Sequence, residues 1–170
     1  MKPDKIAIRP AAHDLRDLGI VDAFIRELAK EEGLPDATAS LDDLSDALFG
    51  AAAIAYAAIA EVDGEPAGFA VYYPKYSTVT GRRGLHLEDI YVAPHYRDRH
   101  LGRAILEYLQ ALSGAHGMVD LWVMHSNEPA IGFYQRVGAR ELDGIAVYRL
   151  DHPDLNPSSG LTGLSSSETI

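Results

Sequence analysis

Hydrophobic and polar positions in the first third of the chain predict one strand followed by two helices. Residues 5–9 alternate around two isoleucines, which predicts a short strand. Residues 13–30 carry apolar side chains at helical spacing, and Gly19 is a position where this helix could divide. A second helix is expected after Ser40, because its hydroxyl suits an N-cap and two aspartates follow in the first turn.

The pattern then changes to alternation and predicts a meander of three strands. Residues 53–62 and 66–73 form the first two, joined by Asp63-Gly64, a strong signal for a hairpin turn. Residues 85–92 form the third, a hydrophobic run that two consecutive acidic residues interrupt.

The second half alternates between helices and strands. Residues 101–112 have a leucine and isoleucine stripe typical of an amphipathic helix, and residues 118–124 form a strand. A helix over 128–137 ends before Gly138, and residues 141–150 are predicted as a last strand. The order predicts the α/β (α+β) class: a mixed, mostly antiparallel sheet with helices on both faces.

Length and composition narrow the class of protein. The 170 residues suit one domain, which we expect over residues 1–150, followed by a polar, loosely ordered tail over 151–170. The chain has no cysteine, which excludes a thiol nucleophile and a disulfide framework. The N-terminus lacks the apolar core of a signal peptide, and the apolar run over 49–60 is too short to span a bilayer. We therefore expect a cytoplasmic protein without a membrane partner.

The formal net charge of −10 bears on partners. It argues against sequence-independent binding to nucleic acid, which needs a basic face. It suits a cationic ligand, because a negative field concentrates positive molecules, although solubility alone would account for the charge equally well.

A local concentration of arginine stands out from this acidic background. Between residues 91 and 103 a strand ends, Pro94 turns the chain and a helix begins, while Arg97, Arg99 and Arg103 add positive charge. Unpaired N–H groups at a helix start bind anions such as a pyrophosphate. A solvated arginine cluster is the alternative. No Gly-x-Gly-x-x-Gly motif is present, so a dinucleotide fold is disfavoured.

Three segments together resemble a known family. Residues 87–92 (LEDIYV) and 96–102 (YRDRHLG) resemble the acetyl-CoA motif of the GNAT N-acetyltransferase superfamily, and residues 127–139 (NEPAIGFYQRVGA) match its second landmark with more specific spacing. With residues 8–11 and 27–30, the chain to about residue 150 resembles the diamine branch, which includes the spermidine/spermine acetyltransferases.

The resemblance implies a GNAT fold in which two central parallel strands, over 85–92 and 118–124, splay apart around the thioester. Acetyl-CoA is the implied co-substrate, and no metal is implied. The residues implied in binding acetyl-CoA are Ile90, Tyr91 and Val92 for the pantetheine arm, Arg97, Asp98, Arg99, His100, Leu101, Gly102 and Arg103 for the pyrophosphate, and Asn127, Tyr134 and Arg136 beside them.

The resemblance also implies two catalytic residues. An alkyl amine is mostly protonated at neutral pH, so a base must free its lone pair, and Glu88 matches the family's proposed base. Tyr134 matches the acid that protonates the departing thiolate, and a strand N–H near Tyr91 could hold the oxyanion. Glu88 also contributes to substrate binding. Asp89 is an alternative base, although strand alternation directs it to the other face.

Several of these residues could instead have purely structural roles. Glu88 could be an ordinary edge carboxylate, Tyr134 could pack beside Phe133, and Asn127 could simply cap a helix. The histidines are more often surface or packing residues than ligands. His86 lies on the same side of its strand as Glu88 and could assist proton transfer.

The sequence departs from the family at two places. His100 replaces the first glycine of the phosphate loop, so its side chain must point away from the pyrophosphate or its backbone must avoid positive φ. The loop over 76–83 lacks the acid and tryptophan that the diamine enzymes carry there, and it has two arginines nearby.

These departures leave the substrate class broad. The candidates for holding a distal ammonium are the acids of the first long helix, Glu27, Glu31 and Glu32, and Arg82 or Arg83 could hold a carboxylate. The expected substrate is therefore a polyamine, a diamine or a thialysine-like amino acid, acetylated by direct attack. A protein or peptide amine acetyltransferase and a non-catalytic CoA-binding module are the alternatives. The resemblance further implies a homodimer, which is also the commonest oligomer.

Overall fold

The computed structural model describes residues 4–34 and 39–150, and the chain divides into two compact units, Met1–Ile131 and Gly132–Ile170. The predicted tail over 151–170 lies outside the described residues. The elements are β1 (Ile6–Pro10), α1 (Leu15–Glu31), α2 (Leu41–Phe49), β2 (Tyr56–Val62), β3 (Glu65–Ser77), β4 (Arg82–Val92), α3 (Leu101–Ser113), β5 (Met118–Leu121) and α4 (Glu128–Arg136), with a short 3₁₀ turn at Pro94–Tyr96.

The five described strands form one mixed sheet in the order β1-β2-β3-β4-β5. The first three pairs are antiparallel, and β4 pairs with β5 in parallel. The predicted mixed, mostly antiparallel sheet is confirmed. The parallel pair lies at one end of the described sheet rather than at its centre.

Local sequence signals account for the turns and caps. Asp63 and Gly64 both have positive φ, 53° and 89°, as a type I′ hairpin turn requires. Ser40 and Asp43 form a reciprocal capping box at the start of α2. Helix α1 begins after Asp14, whose side chain accepts a hydrogen bond from a backbone N–H, and it continues through Gly19 without a break.

Helices cover both faces of the sheet. One hydrophobic cluster joins α1 and α2 to alternate positions of the strands, including Ile59, Phe69, Val71 and Tyr91. The intervening positions, such as Ala70, are buried on the opposite face because strand side chains alternate. Helix α3, with its own buried leucines and isoleucine, contacts β3, β4 and β5 outside that cluster.

Strand β3 is longer than predicted. It runs through Pro74, which lies opposite Leu85 on β4. The β2 register ends at the pair Tyr56 and Tyr72, so beyond Tyr72 one side of β3 is an edge. Because proline lacks an N–H, it is tolerated where that side of a strand has no partner.

The predicted last strand is wrong. Residues 141–150 form no strand, and most of their large apolar side chains, including Ile145, Val147 and Tyr148, are exposed. Gly144 takes a positive φ of 77° in a turn within this run. Alternation and β-propensity express how well residues fit a sheet. A segment with this pattern therefore forms a strand only where a partner strand is available. The strand over 118–124 is likewise shorter than predicted and ends at Leu121.

Candidate active site

The parallel strands β4 and β5 part beside the acidic residues of β4. Their register starts at Gly84 and Met118 and ends at Leu87 and Leu121. Strand β4 continues to Val92, paired with β3 throughout that length. Within residues 4–34 and 39–150, no strand pairs with the other side of this last part of β4. We call residues 88–92 the open end of β4, because a row of backbone groups there is available to an extended ligand.

A β-bulge places Glu88 at the start of this open end. Val71 lies opposite Asp89 and Tyr72 lies opposite Leu87, so Glu88 is an extra residue without a cross-strand partner. Bulges interrupt the regular alternation of side chains and often redirect a residue next to an active site. Regular alternation therefore does not separate Asp89 from Glu88, contrary to the expectation from the sequence.

Three acidic residues interact near the bulge. Asp89 is half-buried, and burial raises its pKa to about 6, with further contributions from the charges of Glu88 and Glu32. Burial and the neighbouring charge of Glu31 also raise the pKa of Glu32, at the end of α1. No cation is among the groups that shift these two pKa values. The carboxylates therefore create a negative field, which suits a positively charged amine.

Glu88 reaches solvent, and its charge acts on two other side chains. Its side chain is 51% exposed, and its carboxylate lies 3.8 Å from the Nε2 atom of His86. Burial and the charge of Glu88 raise the pKa of the Tyr73 hydroxyl. A carboxylate that is accessible and held by neighbours has the arrangement that a general base requires.

The acids of α1 face the other part of the open end. Glu31 accepts two hydrogen bonds of 2.7 Å from the same Arg97 nitrogen, and Arg97 also donates to the backbone oxygen of Val92 at 2.9 Å. Tyr91 is buried beneath this pair, and burial together with the charges of Glu31 and Glu27 raises its pKa. Glu31 and Arg97, predicted to bind different ligands, thus form an ion pair with each other.

The loop before α3 has the geometry of an anion site. Asp98 and His100 both have a φ of 62°, so the backbone here is left-handed despite the side chains. His100 makes no side-chain cap, and the first helical hydrogen bond runs from the Ala104 N–H to the His100 oxygen at 3.0 Å. The N–H groups of Leu101, Gly102 and Arg103 precede that bond, so they are available to a ligand.

Of the two possibilities for His100, a backbone that avoids positive φ is excluded, which leaves a side chain that points away from the pyrophosphate. The turn imposes the left-handed conformation whatever the side chain, at a cost of about 1 kcal/mol for a residue other than glycine. Arg99 and Arg103 form exposed ion pairs with Asp4 and Glu107, at 3.0 and 2.8 Å.

Asn127 caps helix α4. Its Oδ1 accepts a hydrogen bond from the Ala130 N–H at 3.2 Å, which is the capping role that the sequence allowed. Gly138, with φ of 90°, follows the helix as predicted.

Tyr134 and Arg136 belong to the second compact unit. Tyr134 is half-buried, with its ring centroid 5.3 Å from that of Phe133, and its backbone oxygen accepts a hydrogen bond from Ala139. Arg136 is exposed in the last turn of α4. The contact with Phe133 fits a packing role, and the exposed edge of a half-buried tyrosine is compatible with a role as an acid.

Arg82 and Arg83 lie at the opposite end of β4 from the bulge. Arg82 and Glu88 are six positions apart, which corresponds to about 20 Å at a rise of about 3.3 Å per residue. The two arginines line a separate cavity of about 440 Å³ together with residues 113–117, which follow the end of α3. The structure does not bring them beside Glu88.

The sequence did not identify Tyr73 as a residue of the site, and it predicted a different role for Glu32 from the one that the structure shows. The only sequence signal for Tyr73 is register, because pairing β3 with β4 sets it opposite His86. Glu32, a candidate for a distal ammonium, instead acts on Asp89, and that approach depends on how the first helix packs. In the described part of the chain, no group of three histidine or acidic side chains could hold a metal ion, and no helix is long and apolar enough to cross a membrane.

Comparison with known proteins agrees with this geometry. The sequence profile of the Acetyltransferase (GNAT) family matches residues 21–139. The thialysine N-epsilon-acetyltransferase of Sus scrofa is 36% identical over 137 residues, covering 74% of this chain and 80% of that protein. Its counterpart in Bos taurus is 35% identical over 158 residues, covering 85% and 92%.

A solved structure supports the same fold. An aminoglycoside N-acetyltransferase in complex with CoA superimposes with a TM-score of 0.66 at 20% identity, covering 86% of this chain and 95% of that one. The fold, the matched profile and the curated relatives lead to one conclusion: the chain belongs to the acetyltransferase (GNAT) family and is an acetyl-CoA-dependent N-acetyltransferase.

Proposed function

We propose that the protein transfers the acetyl group of acetyl-CoA to a primary amine of a small molecule. The observation that carries this proposal is the open end of β4, where an accessible carboxylate at a bulge adjoins unpaired backbone groups. The curated relatives are thialysine N-epsilon-acetyltransferases, which favours a small amine over a protein substrate.

Glu88 is the proposed base. It accepts a proton from the ammonium group of the substrate, and the freed lone pair attacks the thioester carbonyl. A backbone N–H near Tyr91 stabilises the oxyanion of the tetrahedral intermediate. When the C–S bond breaks, the hydroxyl of Tyr134 donates its proton to the departing thiolate. The acetylated nitrogen then loses its remaining extra proton to the tyrosinate, which restores Tyr134, and Glu88 releases the first proton to solvent. The products are the amide, the thiol of CoA and one proton.

Acetyl-CoA lies along the open end in this proposal. The backbone of Ile90, Tyr91 and Val92 pairs with the pantetheine arm as an added strand would. The pyrophosphate takes the N–H groups from His100 to Arg103, with Arg97, Asp98 and Arg99 around it, and Asn127 and Arg136 contact the remainder. The uncapped start of α3 supports this arrangement. Because Arg97 is paired with Glu31, binding would require it to share or exchange that partner.

The acidic residues around the bulge are proposed to bind the substrate cation. Glu88 holds the reacting amine, and Asp89 and Glu32 add negative charge beside it. Glu27 and Glu31 on α1 are proposed for a second ammonium. A carboxylate held by Arg82 or Arg83 of the same chain would belong to a long substrate, since these residues lie about 20 Å along β4.

The cellular setting is part of the proposal. We infer a cytoplasmic homodimer without nucleic-acid or membrane partners, supported by the net charge of −10 and by the prevalence of two-fold dimers. Sedimentation equilibrium would test the dimer, and a monomer at micromolar concentration would exclude it.

A thiol-release assay tests the function. Acetyl-CoA would be offered with a diamine, spermidine, thialysine, lysine and a lysine-containing peptide. Release with free amines and not with the peptide supports the proposal. Release only with the peptide would favour a protein acetyltransferase, and CoA binding without any release would favour a binding module.

A second measurement tests the acid. Tyr134→Phe should lower kcat about 10²-fold, because the thiolate loses its proton donor. Tyr148→Phe removes a hydroxyl from an exposed residue of the same unit and should leave kcat unchanged. Equal rates for Tyr134→Phe and the wild type would assign Tyr134 to packing.

A further inference from the structure

His86 is a buried histidine enclosed by aromatic rings beside Glu88. Its side chain is 7% exposed. The ring of Tyr73, opposite it on β3, stacks at 4.9 Å with an interplanar angle of 27°, and the ring of Trp122 meets it edge-on at 4.7 Å. An imidazole held on two sides by aromatic rings keeps a fixed direction for its nitrogens.

That direction leads to the carboxylate at the bulge. The Nε2 atom of His86 lies 3.8 Å from Oε2 of Glu88, and burial together with the charge of the same carboxylate raises the pKa of the Tyr73 hydroxyl. Glu88 has no cross-strand neighbour of its own because it is the extra residue of the bulge. His86 thus lies beside a half-exposed carboxylate whose charge also acts on Tyr73 of the neighbouring strand.

Among the charged groups that act on His86, Glu88 is the one whose effect is not offset by an ion-pair partner. Lys75 on β3 and Asp120 on β5 also face the imidazole, but they form an ion pair with each other. Their opposite charges act on His86 in opposite directions, whereas Glu88 acts alone from β4. Burial lowers the pKa of His86, which favours the neutral ring at physiological pH.

We propose that His86, held between Tyr73 and Trp122, is a positioning residue that directs the Glu88 carboxylate into the gap between β4 and β5. The proposal rests on the proposed role of Glu88 as the base. A neutral imidazole orients the carboxylate without taking its charge, so Glu88 stays basic. A protonated imidazole would stabilise the charged carboxylate and make it a weaker base.

Variants of His86 test this role kinetically. His86→Phe keeps an aromatic ring between Tyr73 and Trp122 but removes the nitrogen, and it should lower kcat about 10-fold while the KM for acetyl-CoA stays unchanged. The acid limb of the pH profile of kcat should shift as well. His86→Gln restores an N–H donor and should recover part of the loss. His13→Phe, a histidine stacked on Phe49 away from this site, is the matched control and should leave kcat unchanged.

A merely structural role predicts a different result. In that case His86→Phe would change the melting temperature and leave both kcat and the pH profile as in the wild type, which would overturn the proposal. Loss of kcat in His86→Phe with no recovery in His86→Gln would also count against it, because the nitrogen donor would then not be the group that matters.

An NMR titration separates this inference from the proposed function. The charge of Glu88 raises the pKa of His86, so Glu88→Gln should shift the His86 titration to lower pH. An unchanged titration would overturn the contact even if Glu88 proved to be the base. Full activity of Glu88→Gln would instead refute Glu88 as the base, and the positioning role with it, whatever the titration showed.

Discussion

Asp17 and Asp89 are both shielded carboxylates, yet their pKa values move in opposite directions. Asp17 is buried at the start of α1, where Arg9 binds it through two nitrogens and the Ala12 N–H donates to it at 2.7 Å. The hydrogen bond from Arg9 lowers the pKa of Asp17. Asp89 is only half-buried, but burial raises its pKa to about 6, and its charged neighbours are acidic.

The difference teaches that partners, rather than burial alone, separate a structural carboxylate from a functional one. The network of Arg9, Asp17 and Glu61 joins β1, β2 and α1, and the Arg9 guanidinium lies between both carboxylates. The charges that act on Asp89 come from Glu88 and Glu32 and include no such cation, so these three acids repel one another. A cationic substrate would supply the missing charge, which links the cost in stability to binding.

The largest effect is expected at the open end itself. Glu88→Gln removes the base while keeping the size of the side chain, and kcat/KM should fall by about 10²- to 10³-fold. Steady-state kinetics with the best amine from the panel measure it. Glu65→Gln, an exposed glutamate at the start of β3, is the control and should be silent. A loss below about 3-fold would mean that Glu88 is an ordinary edge carboxylate.

Asp17→Asn should cause the next largest effect, on stability. The change leaves Arg9 without its charged partner, and the free energy of unfolding should fall by about 2–3 kcal/mol, reduced from a fully buried pair because Arg9 is partly exposed. Urea denaturation measures it. Asp22→Asn breaks the surface pair with Arg26 on the same helix and should cost less than about 0.5 kcal/mol.

The pH dependence of that effect has a definite sign. Since the folded-state pKa of Asp17 is lowered, its contribution is fully present above the unfolded value of 3.8 and is lost as the pH falls through the folded value. The difference in the free energy of unfolding between Asp17→Asn and the wild type should therefore become smaller in acid. A difference that stayed constant down to the lowest pH at which the protein folds would contradict the charged pair.

Asp89→Asn should have the opposite sign. The raised pKa means that ionised Asp89 destabilises the folded state above about pH 6, so removing the charge should raise the free energy of unfolding by about 2 kcal/mol at about pH 8. The gain should disappear below about pH 4, where both states bind the proton. Urea denaturation at both pH values tests it, and a loss of stability at the higher pH would break the comparison with Asp17.

The activity of the same variant identifies the base. With Glu88 as the base, Asp89→Asn should lower kcat less than Glu88→Gln does. The reverse order would assign the base to Asp89.

His100→Gly should have the smallest effect. Glycine tolerates the φ of 62° that His100 adopts, so the unfolding free energy should rise by up to about 1 kcal/mol. In thermal unfolding, the melting temperature should rise by about 2–4 °C. His95→Gly, in the preceding 3₁₀ turn, relieves no positive φ and is expected to destabilise instead. A lower melting temperature for His100→Gly would show that its side chain stabilises the loop.

Much of the fold could be predicted because its signals are local. The hairpin at Asp63-Gly64, the cap at Ser40 and the helix stripe over 101–112 each depend on a few neighbouring residues. The prediction of the last strand is wrong because its pattern carries no information about whether a partner strand is present. The path of β3 through Pro74 likewise depends on where β2 ends.

The candidate site divides in the same way. Glu88 and the loop before α3 are identifiable from motifs, because a motif consists of residue types at fixed spacing in the sequence. The bulge at Glu88, the pKa of Asp89 and the approach of Glu32 depend on cross-strand register and helix packing. The ion pair of Arg97 with Glu31 joins residues far apart in the chain and could not be read from either segment.

The sequence by itself determined the order of most elements, the family and the residue types available for chemistry, because these follow from local periodicity and motif spacing. Only the tertiary structure decided which charges are compensated, which way the strand alternation breaks at Glu88, and which aromatic rings enclose His86. Those features arise where distant segments meet, and the free energy of a charge or a hydrogen bond depends on what surrounds it.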